Sequence, residues 1–131
     1  MSKDAWYGKL VGAHFDMHPD PEPGTIVSEF SNQNHYIASC CGGREDWNDE
    51  WYNFTSHPRE NENLKVLLRG EPRTFKGGKH GDDHPLAWYQ EFEGGRSFFT
   101  SLGHFDEAYE DDWYMGQILR GIVWAGKREG V

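Results

Sequence analysis

The residues best suited to chemistry occupy two short blocks and one turn. His104 follows Gly103 in Leu102-Gly103-His104, and His84 sits in Asp82-Asp83-His84-Pro85. Imidazole changes charge near neutral pH, so His104 and His84 are the candidate catalytic acid–base groups. Pro85 confines the residue before it to extended backbone, which restricts the direction in which the His84 ring leaves the chain. Asp83 or Asp49 can orient such a ring and fix its tautomer. Asp49 and Glu50 open the block Asp49-Glu50-Trp51-Tyr52-Asn53-Phe54, where they can act as acid, base or acceptor of sugar hydroxyls. A glycosidase pair needs two carboxylates about 5 to 9.5 Å apart, a distance that adjacency in sequence does not set. Trp51, Tyr52 and Trp88, with Trp47, are candidate platforms for the apolar face of a sugar, with Glu50 and Asp83 as hydroxyl partners. The same rings can instead fill a core short of aliphatic residues.

Other groups carry less. Cys40 and Cys41 are adjacent, and neighbouring residues rarely reach disulfide geometry without strain, so two half-buried thiols before Gly42-Gly43 are expected. A Gly-x-Ser-x-Gly elbow is missing, and Thr100 and Ser101 have no base other than His104, so covalent catalysis is not expected. His14 and His18 would share a face of a helix and could bind a metal such as zinc, but Pro19 opposes a helix there. A metal site would therefore combine His14 or His18 with His84 and His104. His18-Pro19 and His57-Pro58 read as plain turns, and Arg96 as an ion-pair partner for Asp49 or Glu50.

The positioning elements follow from periodicity and punctuation. Trp6 to Phe15 predicts a short helix running into a loop, and the three prolines between Asp16 and Gly24 predict an irregular connector. Thr25 to Phe30 reads as a strand, Ser31 to Asn48 as loop, and Glu50 to Phe54 as an extended piece. Leu64 to Arg69 is an apolar run of the kind covered on both faces of a sheet. Pro85 to Phe92 and Arg96 to Leu102 flank Glu93-Gly94-Gly95 and predict a hairpin. A last helix starts at Asp111 or Asp112, turns Tyr114, Ile118, Ile122 and Ala125 to one face, and stops at Gly126. Its Gly116 and Gly121 call for close packing against the sheet.

Several of these blocks, in order, resemble the trehalose-utilisation (ThuA-like) family, whose fold is related to the class I glutamine amidotransferases. Trp6-Tyr7-Gly8-Lys9-Leu10-Val11-Gly12-Ala13-His14-Phe15 with His18-Pro19 is similar to the family's Trp-x-x-Leu-Val-Gly-x-x-Phe region. The Asp49-Glu50-Trp51-Tyr52, Asp83-His84-Pro85-Leu86-Ala87-Trp88, Gly95-Arg96-Ser97-Phe98 and Leu102-Gly103-His104 blocks are similar to four further family blocks. Gly121 to Gly126 resembles the closing helix. The resemblance implies an α/β fold, a partial flavodoxin/amidotransferase-like three-layer sheet with a C-terminal helix. It also implies a role in the metabolism of trehalose-type sugars, with His104 as general base by its strand-end position and hydrolase- or isomerase-like chemistry.

Family members carry an earlier half that ends in a Gly-rich strand-to-helix turn, and His35 to Gly43 departs from the family's His-Pro and Leu-Pro turn. Residues 1–131 are thus expected to form a single ThuA-like domain lacking that half, inactive as a glutamine amidotransferase and completed by homo-oligomerisation or a companion chain. A non-catalytic binding or assembly module and a metal-binding hydrolase-like protein are the alternatives.

Composition narrows the partners. A formal net charge of -9 with scattered Lys and Arg argues against nucleic acid and against anionic membranes. No apolar run approaches the roughly 20 residues of a spanning helix, and the first residues do not read as a signal peptide. With no Cys spacing that staples a secreted domain, a cytoplasmic location is expected.

Overall fold

The computed structural model describes residues 4–130. Helix α1 covers Asp4–Val11, followed by strands β1 (Phe15–Met17), β2 (Glu22–Ser28), β3 (Arg44–Asp49), β4 (Asn53–Phe54), β5 (Lys65–Gly70), β6 (His84–Phe92) and β7 (Gly95–Thr100). A 3-10 turn at Asp106–Glu110 leads into helix α2, Asp112–Ala125. Five strands form one sheet in the order β3-β2-β5-β6-β7, and β1 pairs with β4 beside it. Every pairing is antiparallel. The expected α/β class holds, with α1 and the β1–β4 pair on one face of the sheet and α2 on the other.

The hairpin β6–β7 is the spine. Glu93 and Gly94 take positive φ of 50° and 80°, the left-handed pair that a tight two-residue turn demands and that glycine meets most easily. Facing pairs then fall in register, Trp88 with Phe99 and Gln90 with Ser97. On this face Trp88 stacks on Phe99 at 4.8 Å and meets Phe54 edge-on. The same face finishes α1, whose eight residues are too few to stand alone. Trp88 Nε1 donates to Val11 O, Gln90 Nε2 donates to Lys9 O and Leu10 O, and Ser97 Oγ donates to Leu10 O. The strand thereby supplies donors for the terminal carbonyls that a helix leaves open.

Strand β5 is covered on both faces as its apolar run predicts, with Val66, Leu67 and Leu68 all buried. Strand β3 lies inside the stretch expected to be loop. It is a polar edge strand in which only Trp47 and Asp49 turn inward. The connector from Asp16 to Gly24 likewise contributes to β1 and to the start of β2.

On the far face, Asp111 caps α2 by accepting from Tyr114 N, and Arg44 holds the Asp111 carboxylate at 2.8 and 3.0 Å. That contact draws the Asp111 carboxyl below its ordinary pKa. The extent of α2 matches expectation, but its inward face does so only at Tyr114 and Ile118. Tyr114, Gln117, Gly121 and Trp124 are buried, whereas Ile122 is 64% exposed and Ala125 also faces outward. The reason lies at Gly121, where a Cβ would run into the Phe98 ring. Contact between the bare backbone and Phe98 sets the helix rotation and brings Trp124 against Tyr89 and His35.

Two further expectations are corrected. Cys40 and Cys41 are joined to each other in a disulfide, not held as thiols, and the turn carrying them lies against Gly116 of α2. Arg96 pairs with Glu129 at 2.6 Å and lies over the Trp124 ring, so neither Asp49 nor Glu50 is its partner. No helix among the described residues is long and apolar enough to cross a membrane.

Candidate functional site

The site gathers at the end of the sheet where β3, β5 and β7 finish and β2 and β6 begin. Asp49 closes β3 and is wholly buried. Its carboxylate accepts from Trp47 Nε1 and Gly103 N, each at 2.8 Å, from Glu50 N at 2.9 Å and from His104 N at 3.2 Å. Hydrogen bonds of this number stabilise a buried carboxylate and leave little capacity for substrate. Asp49 is therefore the anchor of the Gly103-His104 turn. Gly103 itself has φ of 101°, and a Cβ there would collide with the Tyr114 hydroxyl, so the turn admits glycine alone without strain.

With the backbone fixed, the His104 side chain returns to the neighbour of Asp49. Glu50 Oε1 lies 3.2 Å from His104 Nδ1, and Glu50 Oε2 lies 3.1 Å from His18 Nε2. The Glu50 side chain is 11% exposed and that of His104 is 48% exposed. One carboxylate is thus gripped between two imidazoles. The His18 ring is fixed by its Nδ1, 2.8 Å from Pro19 O, an atom that can only accept, so this nitrogen carries hydrogen. It also stacks on Tyr52 at 5.9 Å. On the His104 side, Nδ1 is the ring nitrogen that faces Glu50. This is the carboxylate–imidazole arrangement that fixes a tautomer and supports general-base chemistry.

His84 does not join this group. It is fully buried, its Nε2 donates to Tyr52 O at 2.8 Å, and its Nδ1 has no hydrogen-bond partner. Burial is the largest of the influences that lower its pKa, so the ring is a neutral prop beneath Tyr52 and presents no face to solvent. It neighbours His80, whose Nε2 accepts from Phe54 N at 2.9 Å and whose pKa burial lowers to about 4. Two histidine groups therefore flank residues 50–54, one partly open and one enclosed.

The remaining candidates are distributed as follows. Trp51 is buried, stacks on Phe75 at 4.5 Å and donates to Glu22 O. Trp88 is buried between Phe54 and Phe99. Neither presents a face to a sugar, because both fill the core in place of aliphatic residues. Asp83 does not orient His84, since it pairs with Arg59 at 2.8 Å. Tyr52 stays beside the site, packed between His18 and Phe15. Its phenol is pushed up by burial first and then by the Glu50 and Asp49 charges, which keeps its hydroxyl a donor. His18 and His104 meet at Glu50 but His84 does not join them, and among the described residues no cluster of three or more His, Cys, Asp or Glu side chains is arranged to hold a metal ion.

His18 was singled out in the sequence only as a turn residue or a candidate metal ligand, and nothing in its spacing pointed toward Glu50. His80 was equally silent in a Gly-rich loop.

The comparisons agree with the resemblance. Residues 1–125 match the model of the ThuA family, described as trehalose utilisation, and the chain belongs to that family. A ThuA-like protein from Bacteroides uniformis ATCC 8492 has a crystal structure that superposes with a TM-score of 0.72 at 23% identity. The match covers 92% of this chain and 51% of that one. The likeness shows a common fold, and the chain spans about half the length of that protein. No curated protein matches the sequence.

Proposed function

We propose that this chain binds a saccharide or saccharide derivative of the trehalose type and acts on it through His104, with Glu50 as the positioning carboxylate. The observation that supports this reading is the placement of Glu50 between His104 Nδ1 and His18 Nε2, with the His104 side chain 48% exposed. Membership of a family described as trehalose utilisation supports a sugar as the substrate class. With no elbow serine and with both cysteines tied to each other, proton transfer of hydrolase or isomerase type fits the side chains better than covalent catalysis.

Titration calorimetry with trehalose and with methyl glucoside, followed by turnover assays, tests it. His104→Ala is expected to retain sugar binding and lose turnover by about 100-fold or more, the usual scale of general acid–base catalysis. Unchanged turnover in that variant overturns the role of His104.

A second reading is a non-catalytic binding or assembly module. Leu119 and Ile122 favour it, being 57% and 64% exposed on the outward side of α2. Light scattering that gives a multiple of the chain mass, reduced to one by Leu119→Lys with Ile122→Lys, would support assembly through this helix.

A further inference from the structure

Next to the histidine clamp lies a groove whose chemistry differs from that of the clamp. It has a volume of about 320 Å³ and runs between α1 and the β4–β7 face, lined chiefly by Val11, Ala13, Phe15, Tyr52, Phe54 and Phe99, with Tyr7 and His14 at its rim. Among the described residues, no carboxylate, lysine or arginine borders it. Tyr52 belongs to both regions: its ring stacks on His18 at 5.9 Å and packs on Phe15 at 4.5 Å, and Phe15 in turn lies 6.1 Å from His18. The groove and the clamp are therefore neighbours, with the Tyr52 and Phe15 rings at their border.

Its lining decides what it can hold. A sugar ring carries hydroxyls on its whole perimeter, and each one buried without a partner is costly. Val11, Ala13, Phe54 and Phe99 offer side chains with no hydrogen-bonding atom. An aromatic or branched alkyl group has no such demand, and aromatic walls suit it. The floor is also rigid. Phe54 and Phe99 are both packed on Trp88, and α1 is fixed where Gly8 meets the His14 ring so closely that no Cβ fits.

From these features we infer that the ligand is a glycoside bearing an apolar aryl or alkyl substituent, with the substituent in the groove and the sugar at Glu50 and His104. This rests on the saccharide reading above and adds the class of aglycone. It makes Ala13 and Phe15 specificity-determining positions.

The test compares phenyl and methyl β-D-glucopyranoside by titration calorimetry, with histidine and phenylalanine NMR signals recorded in parallel. Phenyl glucoside is expected to bind about ten-fold or more tightly than methyl glucoside, the effect of burying one apolar ring. It should shift His104 and Phe99 together, whereas methyl glucoside shifts His104 alone. Ala13→Trp, which fills the groove, should bring the two affinities to within about two-fold and leave methyl glucoside binding unchanged. Should that variant fold poorly, Phe15→Ser removes a ring that is 50% exposed and should narrow the same ratio.

Equal affinities in the unaltered protein, with Phe99 signals unmoved while His104 responds to both, overturn the groove assignment and spare the saccharide site. A shift of Phe99 by phenol, with His104 unmoved by either glucoside, overturns the saccharide reading and the glycoside with it.

Discussion

The Asp49 carboxylate holds the backbone N–H of His104 at 3.2 Å, with that of Gly103 beside it at 2.8 Å. These residues come from opposite margins of the sheet, β3 and the segment beyond β7. Four strand spacings separate such margins by about 19 Å in a flat sheet. The curl of the sheet and the crossing of residues 101–104 over its end bridge that gap, and Asp49 secures the crossing.

Asp49→Asn tests the anchor. The amide has one oxygen to meet donors that now share two, and its NH2 turns a donor toward a donor. The expected loss is about 2–4 kcal/mol, the cost of leaving buried polar groups unmet around a former charge. Chemical denaturation measures it, and the His104 ring signals should move as well. Asp49→Asn with unaltered stability would leave the crossing without its stated anchor.

Glu50→Gln separates positioning from stability. Glu50 takes no part in the Asp49 network through its side chain, and its histidine partners are 32% and 48% exposed, so stability should change by about 1 kcal/mol or less. Turnover should fall by about 100-fold or more, with the pH profile displaced and Glu50→Asp recovering part of the rate. A fall in substrate affinity alone, with turnover and pH profile retained, would assign Glu50 to binding only.

Acid should weaken the fold through His80 and His84. His80 is lowered from 6.5 to about 4, with burial as the largest cause. The native protein therefore binds fewer protons here than the unfolded chain between those values. Its contribution is complete above pH 6.5 and is lost as pH falls toward 4, by about 2 kcal/mol after solvent screening of a partly exposed ring. His84, lowered chiefly by burial, acts in the same direction. Denaturation midpoints from pH 7 to 4, compared between the unaltered protein and His80→Gln, measure the effect. The variant should have the flatter profile.

Gly121→Val probes the helix rotation. The new side chain meets the Phe98 ring, so α2 must shift, and overpacking of this kind costs about 1–3 kcal/mol. Ile122→Ser, one residue further on the exposed side, should change stability by no more than about 0.5 kcal/mol. Equal effects of the two would mean that α2 packs with the other face inward.

The legible parts of the fold were those with strong local chemistry. Glu93-Gly94-Gly95 encodes its turn within a few residues, and Asp111 with Gly126 brackets α2 because capping is a local matter. The rotation of α2 was partly hidden because Ile122 carries more apolar surface than Gly121, while the packing rewards an absent side chain. Strand β3 was hidden because an edge strand needs only one side covered, and Arg44-Glu45-Asp46 reads as loop. In the site, Glu50 and His104 were legible as residue types. Their contact was not, since it depends on a curl that no single segment encodes. Nor was the enclosure of His84, which follows from Tyr52 O and the Phe75 ring closing over it.

The clasp made by Asp49 joins positions 54 and 55 residues apart along the chain. Contacts so distant in sequence repay the entropy of loop closure only after nearer pairings have formed. The β6–β7 hairpin should consequently gain protection from hydrogen exchange before the Gly103 and His104 amides do. On the way back, the end that carries His104 should open first, so a weakened molecule would lose that corner while most of its strands still hold.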